Sequence, residues 1–251
     1  MQKEILTRMT THSNSDQNSI AVIITAAGSS TRMGGSVKKE YLPLGEGTVL
    51  SASVKAFEAA SKNQTNPFNL TKIIITIPAG DQEQALKAVN PSDEIKQKLE
   101  FVTGSTTRQK SIFNALEHIK NSDEQAQYIL IHDGARPFVT GQVIRNVIAG
   151  TIQYEAAAPG IKSTDTIKQI NSEGFIVKHL ERSLLTAIQT PQGFVFEKLY
   201  EAHKKAADDD YEYTDDSEIW GKYAGPVKLV EGDVNNKKIT YPGDLEKGAA
   251  K

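Results

Sequence analysis

The sequence predicts an α/β protein whose mostly parallel, Rossmann-like sheet has helices on both faces and carries a protruding β-hairpin arm. Between residues 20 and 154, short apolar runs typical of buried parallel strands alternate with segments whose apolar residues recur at helical spacing. After residue 158 this alternation stops, and two strand-like runs joined by a glycine-containing loop predict a hairpin. Because ligands of such sheets bind beyond the carboxyl ends of the strands, we expect the functional site there.

Composition narrows the possible functions. The 251 residues carry a formal net charge of −2, which argues against a nucleic-acid-binding surface. The absence of cysteine excludes disulfides, thiolate zinc sites and cysteine nucleophiles. No apolar stretch approaches the roughly 20 residues that span a bilayer, so no membrane association is expected. Residues 1–19 are polar and predict a mobile extension of a cytoplasmic protein, followed by a single domain over residues 20–251.

The first half of the chain supplies the expected sheet and its helices. Strands are predicted at residues 20–25, 72–77, 99–102 and 127–131. Helices are predicted around residues 50–57, 81–89, 108–119 and 140–154, the last with Ile144, Ile148 and Ile152 on its buried face.

The second half begins with the hairpin, which pairs residues 164–170 with 175–178 inside an arm at about 160–183. A two-stranded ribbon is marginally stable alone in water, so we expect it to pack on another subunit. Helices follow around residues 196–203 and around Ile219 and Trp220, where Thr214 is the predicted cap. Short strands are predicted at residues 227–230 and 238–240.

A loop of small and cationic residues follows the first strand, at residues 26–39. Its glycines let backbone amides approach a ligand, and Arg32 and Lys39 add positive charge, which together suit a polyphosphate. The Walker pattern is absent, and Ser30 stands where the dinucleotide fingerprint requires its second glycine. The segment at residues 132–137 also follows a strand, so the two loops are expected to converge.

These segments, in this order, resemble the 2-C-methyl-D-erythritol 4-phosphate cytidylyltransferases of non-mevalonate isoprenoid synthesis. The resemblance runs from about Ile20 to Leu245 and is carried by the loop at 26–42, Arg108 with Ser111, and the segments at 132–137, 165–166, 181–183, 189–194, 214–215 and 236–240. It implies a fold of the nucleotide-diphospho-sugar transferase type. It also implies transfer of CMP from CTP to a polyol phosphate, catalysed by aligning and neutralising phosphoryl oxygens.

The resemblance also implies residue roles. Arg32 and Lys39 correspond to cations that stabilise the transition state, and Arg182 and Lys238 to cations that position the attacking phosphate. The implied CTP-binding residues are Ala26, Ala27, Gly28, Ser30, Arg32, Lys39, Gly104 and Ser111. The implied acceptor-binding residues are Asp133, Gly134, Arg136, Thr166, Arg182, Thr190, Thr214 and Lys238. Asp133 would also hold Mg²⁺, and the arm would join a homodimer in which Thr166 and Arg182 serve the partner's site.

Four residues depart from the family pattern and bear on affinity: Lys38, Glu40, Ser105 and Lys110. Other functions also remain open at this point. A ribitol 5-phosphate cytidylyltransferase shares the chemistry, a nucleotidyltransferase could use another base, and a nucleotide-binding module could lack turnover. The last possibility is disfavoured, because binding alone does not require transition-state cations.

Overall fold

The computed structural model describes residues 18–28, 37–63, 68–123 and 126–248. The predicted extension lies outside these residues except for its last two positions. The middle of the predicted phosphate loop, with Ser30 and Arg32, also lies outside them.

The strands of the described residues fall into one large sheet and two small ribbons. They are β1 (Ser19–Thr25), β2 (Pro43–Leu44), β3 (Gly47–Thr48), β4 (Asn69–Ile77), β5 (Leu99–Thr103), β6 (Tyr128–Asp133), β7 (Ala156–Lys162), β8 (Lys168–Ile170), β9 (Ile176–His179), β10 (Thr186–Ile188), β11 (Gln192–Val195) and β12 (Lys228–Glu231).

The helices of the same residues are α1 (Val49–Ser61), α2 (Gln82–Val89), α3 (Asp93–Lys98), α4 (Arg108–Lys120), α5 (Gly141–Tyr154), α6 (Phe196–Ala206), α7 (Asp216–Tyr223) and α8 (Gly243–Gly248). None of these is long and apolar enough to cross a membrane.

Strand order in the large sheet is β10-β7-β11-β6-β1-β4-β5, with β12 also paired to β7. Strands β6, β1, β4 and β5 are parallel neighbours, which confirms the predicted Rossmann-like core. Strand β11 runs antiparallel between β6 and β7, and β10 runs antiparallel at the edge. The sequence does not predict β7, β10 or β11, because short pieces containing alanine, glycine and proline lack the long apolar runs of β1 and β4.

The apolar core lies on both faces of this sheet, which explains why β1 is apolar along its whole length. Ile20, Val22 and Ile24 pack on one face, against α1 and α5. Ala21 and Ile23 pack on the other face, against α4 and residues that include Phe194 and Trp220. On α5 the predicted buried face is wrong at its end, since Ile152 is exposed. Val143 and Val147 take its place in the core, because they share a helical face with Ile144.

The arm is formed as predicted from a hairpin, in which β8 and β9 pair antiparallel. Its side chains are exposed, including the large apolar ones of Ile170, Phe175, Ile176 and Val177. A 3₁₀ turn at Arg182–Leu184 then leads back to the main sheet through β10. The arm therefore presents uncovered apolar surface, as a ribbon that packs on another molecule would.

Candidate active site

The carboxyl ends of three neighbouring strands bring the two predicted loops together. The amide of Gly134, directly after β6, donates to the carbonyl of Thr25 on β1 at 3.0 Å. The amide of Ala26, directly after β1, donates to the carbonyl of Thr76 on β4 at 3.0 Å. The predicted convergence of the loops is therefore confirmed.

On the β5 side of this edge, Gly104 lies against Ala27 and Ser111. Its amide donates to the carbonyl of Ile77 at 2.7 Å. A Cβ on Gly104 would overlap the Cβ of Ala27 and lie 3.0 Å from Oγ of Ser111. Ser111 Oγ in turn accepts from the amide of Ser105 at 2.9 Å, so Ser105 joins this cluster through its backbone. Residues predicted to contact cytidine thus lie together, and glycine is required where they meet.

On the β6 side, Asp133 is buried and faces three cations. Its Oδ2 lies 2.9 Å from Nζ of Lys238 and 3.4 Å from Nε of Arg136. Its Oδ1 lies 3.7 Å from Nε of Arg108. Burial alone would raise the pKa of Asp133, but Lys238, Arg108 and Arg136 outweigh it and hold the pKa well below its usual value. The carboxylate therefore stays ionised and organises a cationic cluster.

Arg108 is absent from the site residues that the sequence predicts, although it belongs to the resemblance. It begins α4, and its Nη1 lies 2.8 Å from Oδ2 of the fully buried Asp216. Nε2 of His203, also buried, lies 3.1 Å from Oδ1 of the same carboxylate. Burial would raise the pKa of Asp216, yet Arg108 and His203 lower it. Asp216 thus fixes Arg108 beside Asp133. The sequence signal is weak, because Asp216 reads as an ordinary acidic residue in the first turn of a helix.

Lys39 and Lys238 meet at the segment that follows Asn236. The amide of Ile239 donates to the carbonyl of Ala135 at 2.8 Å, and Nζ of Lys39 donates to the carbonyl of Ile239 at 3.1 Å. This places two cations predicted for catalysis on adjacent parts of one loop. The strand predicted at residues 238–240 does not form; the segment is held by these single hydrogen bonds instead.

Asn236 and Gln189 anchor this segment to the sheet. Nη1 of Arg136 donates to the carbonyl of Asn236 at 2.7 Å, and Nδ2 of Asn236 donates to the carbonyl of Thr190 at 2.9 Å. Nε2 of Gln189 donates to the carbonyl of Asp233 at 2.8 Å. Side-chain amides thus fix the backbone from which Lys238 projects.

Thr190 is buried and braces the end of β6. Its Oγ1 accepts from the amide of Asp133 at 3.1 Å and lies 3.1 Å from Nδ1 of His132. Nε2 of His132 lies 3.2 Å from the carbonyl of Arg136, which can only accept, so the proton is on Nε2 and the hydroxyl of Thr190 donates to Nδ1. Burial lowers the pKa of His132 to about 4, which keeps the ring neutral.

The structure does not bring every predicted acceptor residue to this cluster. Thr166 and Arg182 are exposed in the arm, and Nη1 of Arg182 donates to the carbonyl of Thr164 at 3.3 Å. The hydroxyl of Thr214 donates to Oε2 of Glu218 at 2.9 Å. Thr214 is not the cap of α7, as the sequence predicts; Asp215 is, because its carboxylate accepts from the amide of Glu218 at 2.9 Å.

Lys38, a departure from the family pattern, lies beside the phosphate loop. Its Nζ donates to the carbonyl of Gly28, so it links the two ends of the segment that lies outside the described residues. Burial lowers the pKa of Lys38, with Glu40 and Asp81 opposing that shift. The side chain therefore adds a cation directly beneath the loop.

A magnesium site of protein ligands alone is not present among the described residues, which contain no cluster of three or more His, Asp or Glu side chains suited to a metal ion. Asp133 nevertheless fits the pattern of Mg²⁺ bound through one carboxylate and substrate phosphates. It is ionised, and its Oδ1 has only the 3.7 Å contact to Arg108.

Comparisons with known proteins point in one direction. A family model described as 2-C-methyl-D-erythritol 4-phosphate cytidylyltransferase matches residues 20–250. A protein of that name from Clostridium beijerinckii is 37% identical over 226 residues, which cover 90% of this chain and 95% of the relative.

Solved structures agree with the sequence relatives. The 4-diphosphocytidyl-2C-methyl-D-erythritol synthase from Anaerococcus prevotii superposes with a TM-score of 0.78 at 28% identity, covering 94% of this chain and 98% of that one. The 2-C-methyl-D-erythritol 4-phosphate cytidylyltransferase from Thermus thermophilus gives a TM-score of 0.71 at 28% identity, covering 92% and 98%.

Proposed function

The chain belongs to the 2-C-methyl-D-erythritol 4-phosphate cytidylyltransferase family, and we propose how its residues divide the work of that reaction. The enzyme transfers CMP from CTP to 2-C-methyl-D-erythritol 4-phosphate, releasing pyrophosphate and forming 4-diphosphocytidyl-2-C-methyl-D-erythritol for isoprenoid precursors. The observation that carries the residue assignment is the cationic cluster around Asp133 at the carboxyl edge of the sheet.

The cluster suits an attack of one phosphate on another. An oxygen of the acceptor phosphate forms a bond to the α-phosphorus of CTP while the bond to pyrophosphate breaks. Lys39, Arg108, Arg136 and Lys238 oppose only two carboxylates, Asp133 and Asp216, so the site keeps surplus positive charge for phosphate groups. Cations fixed in place before the reaction stabilise developing phosphoryl charge without reorganising.

Within that cluster, we assign Lys39 to the transferring phosphoryl group and Lys238 to the attacking phosphate. Both are held by the segment around Ile239, which keeps their spacing fixed. Arg32 is assigned alongside Lys39, although it lies outside the described residues. Arg136 and Gly134 border the acceptor, and Asp133 orients Lys238 by a 2.9 Å ion pair.

Recognition of the base is assigned to the edge formed by Ala26, Ala27, Gly104 and Ser111, together with Gly28 and Ser30 of the loop. Close packing between Gly104 and its neighbours leaves backbone amide and carbonyl groups to read the edge of a pyrimidine. A purine is larger, and we expect the same edge to exclude it.

We also propose that Mg²⁺ binds with the nucleotide, held by Asp133 and by triphosphate oxygens. When bound, the ion would neutralise charge on those oxygens and favour departure of pyrophosphate. Because Asp133 is the single carboxylate assigned to it, the free protein should bind Mg²⁺ weakly and the CTP complex should bind it well.

The remaining assignments concern the assembly and its compartment. We propose a homodimer in which the exposed arm carries Thr166 and Arg182 into the partner's site. The uncovered apolar residues of the arm support this, since they need a surface to bury them. We place the enzyme in the cytoplasm, where its substrate CTP is made, and cell fractionation would test this.

A single assay tests the reaction and its specificity. Pyrophosphate release is measured with CTP and a panel of acceptors, 2-C-methyl-D-erythritol 4-phosphate and ribitol 5-phosphate among them, and then with ATP and GTP in place of CTP. We expect turnover with CTP and the methylerythritol acceptor and far less with the others. Equal turnover with ribitol 5-phosphate would contradict the acceptor assignment, and equal turnover with GTP would contradict the assigned base pocket.

A further inference from the structure

A cavity of about 250 Å³ lies between the first turns of α4, the end of α6 and the segment at residues 207–212. Phe113, Tyr211 and His203 are among its lining residues. It is separate from the cluster around Asp133, because its walls come from the outer side of α4. Its size exceeds that of a single water molecule several-fold, so it can admit a small organic ligand.

One buried polar atom of this cavity's lining has no partner. Nε2 of His203 lies 3.1 Å from the carboxylate of Asp216, whereas Nδ1 of the same ring is buried without a hydrogen bond. Since a carboxylate only accepts, the proton of the neutral ring is on Nε2, and Nδ1 carries a free lone pair. A buried acceptor without a partner is costly, so a ligand that donates a hydrogen bond there is favoured.

Other polar groups of the lining are already engaged. Nε2 of Gln109 donates to the carbonyl of Ala206 at 3.1 Å, and Oγ1 of Thr107 accepts from the amide of Lys110 at 3.2 Å. Oδ2 of Asp209 accepts from Nζ of Lys222 at 3.0 Å. The histidine is therefore the group left to select a ligand by hydrogen bonding.

Charge and shape restrict that ligand further. Lys110 is accompanied by two acids, Asp209 and Glu212, so the lining does not favour an anion such as a nucleotide. Phe113 lies parallel to the ring of His203, with 3° between the planes and 6.4 Å between centroids, and Tyr211 adds a second aromatic wall. Aromatic walls favour a flat, aromatic occupant.

The geometry points to a binding site for small, uncharged heteroaromatic compounds that carry an N–H donor, with Nδ1 of His203 as the acceptor. The site is independent of the assignments made for CMP transfer. It predicts selectivity for the donor rather than for shape alone.

Two probes of nearly equal shape test the donor without altering the protein. Indole has a ring N–H, and benzofuran has an oxygen in its place. Binding of each to the full chain is measured by calorimetry at pH 8, where an ordinary imidazole is neutral. We expect indole to bind, and benzofuran to bind about 5- to 10-fold more weakly, the effect of one net hydrogen bond. No binding of indole, or equal binding of the two, would overturn the proposal.

Location is tested by a substitution on the cavity wall and by a nuclear signal. Ala207→Leu narrows the cavity from an exposed position, and Ala207→Ser is its size-matched control. We expect Ala207→Leu to weaken indole binding about 10-fold and Ala207→Ser to leave it near that of the unmodified protein. In protein labelled with ¹⁵N-histidine, indole should shift one buried imidazole resonance, which reads out the site even if Ala207→Leu folds poorly. Unchanged binding in a folded Ala207→Leu, or no shifted resonance, would place the ligand elsewhere and refute the site.

Discussion

Nζ of Lys238 lies 2.9 Å from Oδ2 of Asp133, joining a loop late in the chain to the end of the sixth strand. Asp133 is buried, whereas the side chain of Lys238 is partly exposed toward the site. One end of the pair is thus fixed by the sheet and the other is presented to substrate. This is the arrangement expected of a positioned cation whose direction is set by a carboxylate behind it.

The first prediction concerns this lysine. Lys238→Ala should lower kcat by about 10²-fold or more, by analogy with the loss of a preorganised transition-state donor, and should change the KM for CTP much less. Steady-state pyrophosphate release gives both constants. Lys237→Ala is a matched control, because that neighbouring side chain is exposed. Equal losses from the two substitutions would show that only the overall charge of the loop matters.

The second prediction tests the close approach at Gly104. Gly104→Ala should raise the KM for CTP about 10-fold, because the new methyl would overlap Ala27 and press on Ser111. The control is Gly221→Ala in α7, where a Cβ meets nothing within 4 Å and alanine favours the helix. If Gly104→Ala folds and binds CTP normally, the base is not read at this edge.

The third prediction concerns pH and His132. Its pKa is about 4 in the folded protein and near 6.5 when unfolded, so the unfolded chain binds the extra proton between these values. The free energy of unfolding should therefore rise with pH across this window, by about 3 kcal/mol from this residue. The contribution is complete above about pH 6.5 and is lost as the pH falls toward 4.

Urea unfolding at fixed protein concentration, between pH 4.5 and 7.5, measures this slope. His132→Gln should be less stable overall and show a flatter dependence. His179→Gln in the exposed arm should keep the slope of the unmodified protein. A slope unaffected by His132→Gln would mean that other groups set the acid sensitivity.

The predictability of the fold follows from how each element is stabilised. Strands β1 and β4 are evident in the sequence because both of their faces are buried, which requires continuous apolar runs. Strand β11 is not evident, since its place between β6 and β7 depends on long-range pairing, and a side chain at Gly193 would collide with Val147 and Thr151. Local patterns predict elements that bury much apolar area, and tertiary contacts decide the rest.

The same distinction holds at the site. Asp133 and Lys238 were within reach of sequence reasoning through resemblance, and the structure places them in contact. The positioning of Arg108 by Asp216 was not, because 108 residues separate two side chains that meet only when α4 packs beside α7. The bracing of Asp133 by Thr190 was missed for the same reason, and a residue predicted to touch substrate proves to hold the strand end.

The final prediction addresses the arm. Thr166 and Arg182 are exposed, and Arg182 makes its one hydrogen bond within the described residues to the carbonyl of Thr164 rather than to the Asp133 cluster. If the arm serves the partner, each site combines Lys39 and Lys238 of one subunit with Arg182 of the other. Lys39→Ala and Arg182→Ala should each be inactive alone and should complement each other after subunit exchange, since a mixed dimer has one intact and one doubly altered site. Random exchange makes about half the dimers mixed, so activity should recover to about a quarter of that of the unmodified enzyme if the sites act independently. Exchange is verified separately with affinity-tagged subunits, and folding by thermal unfolding of each variant. Failure to recover activity despite verified exchange would mean that Arg182 serves its own subunit, and the shared site would have to be abandoned.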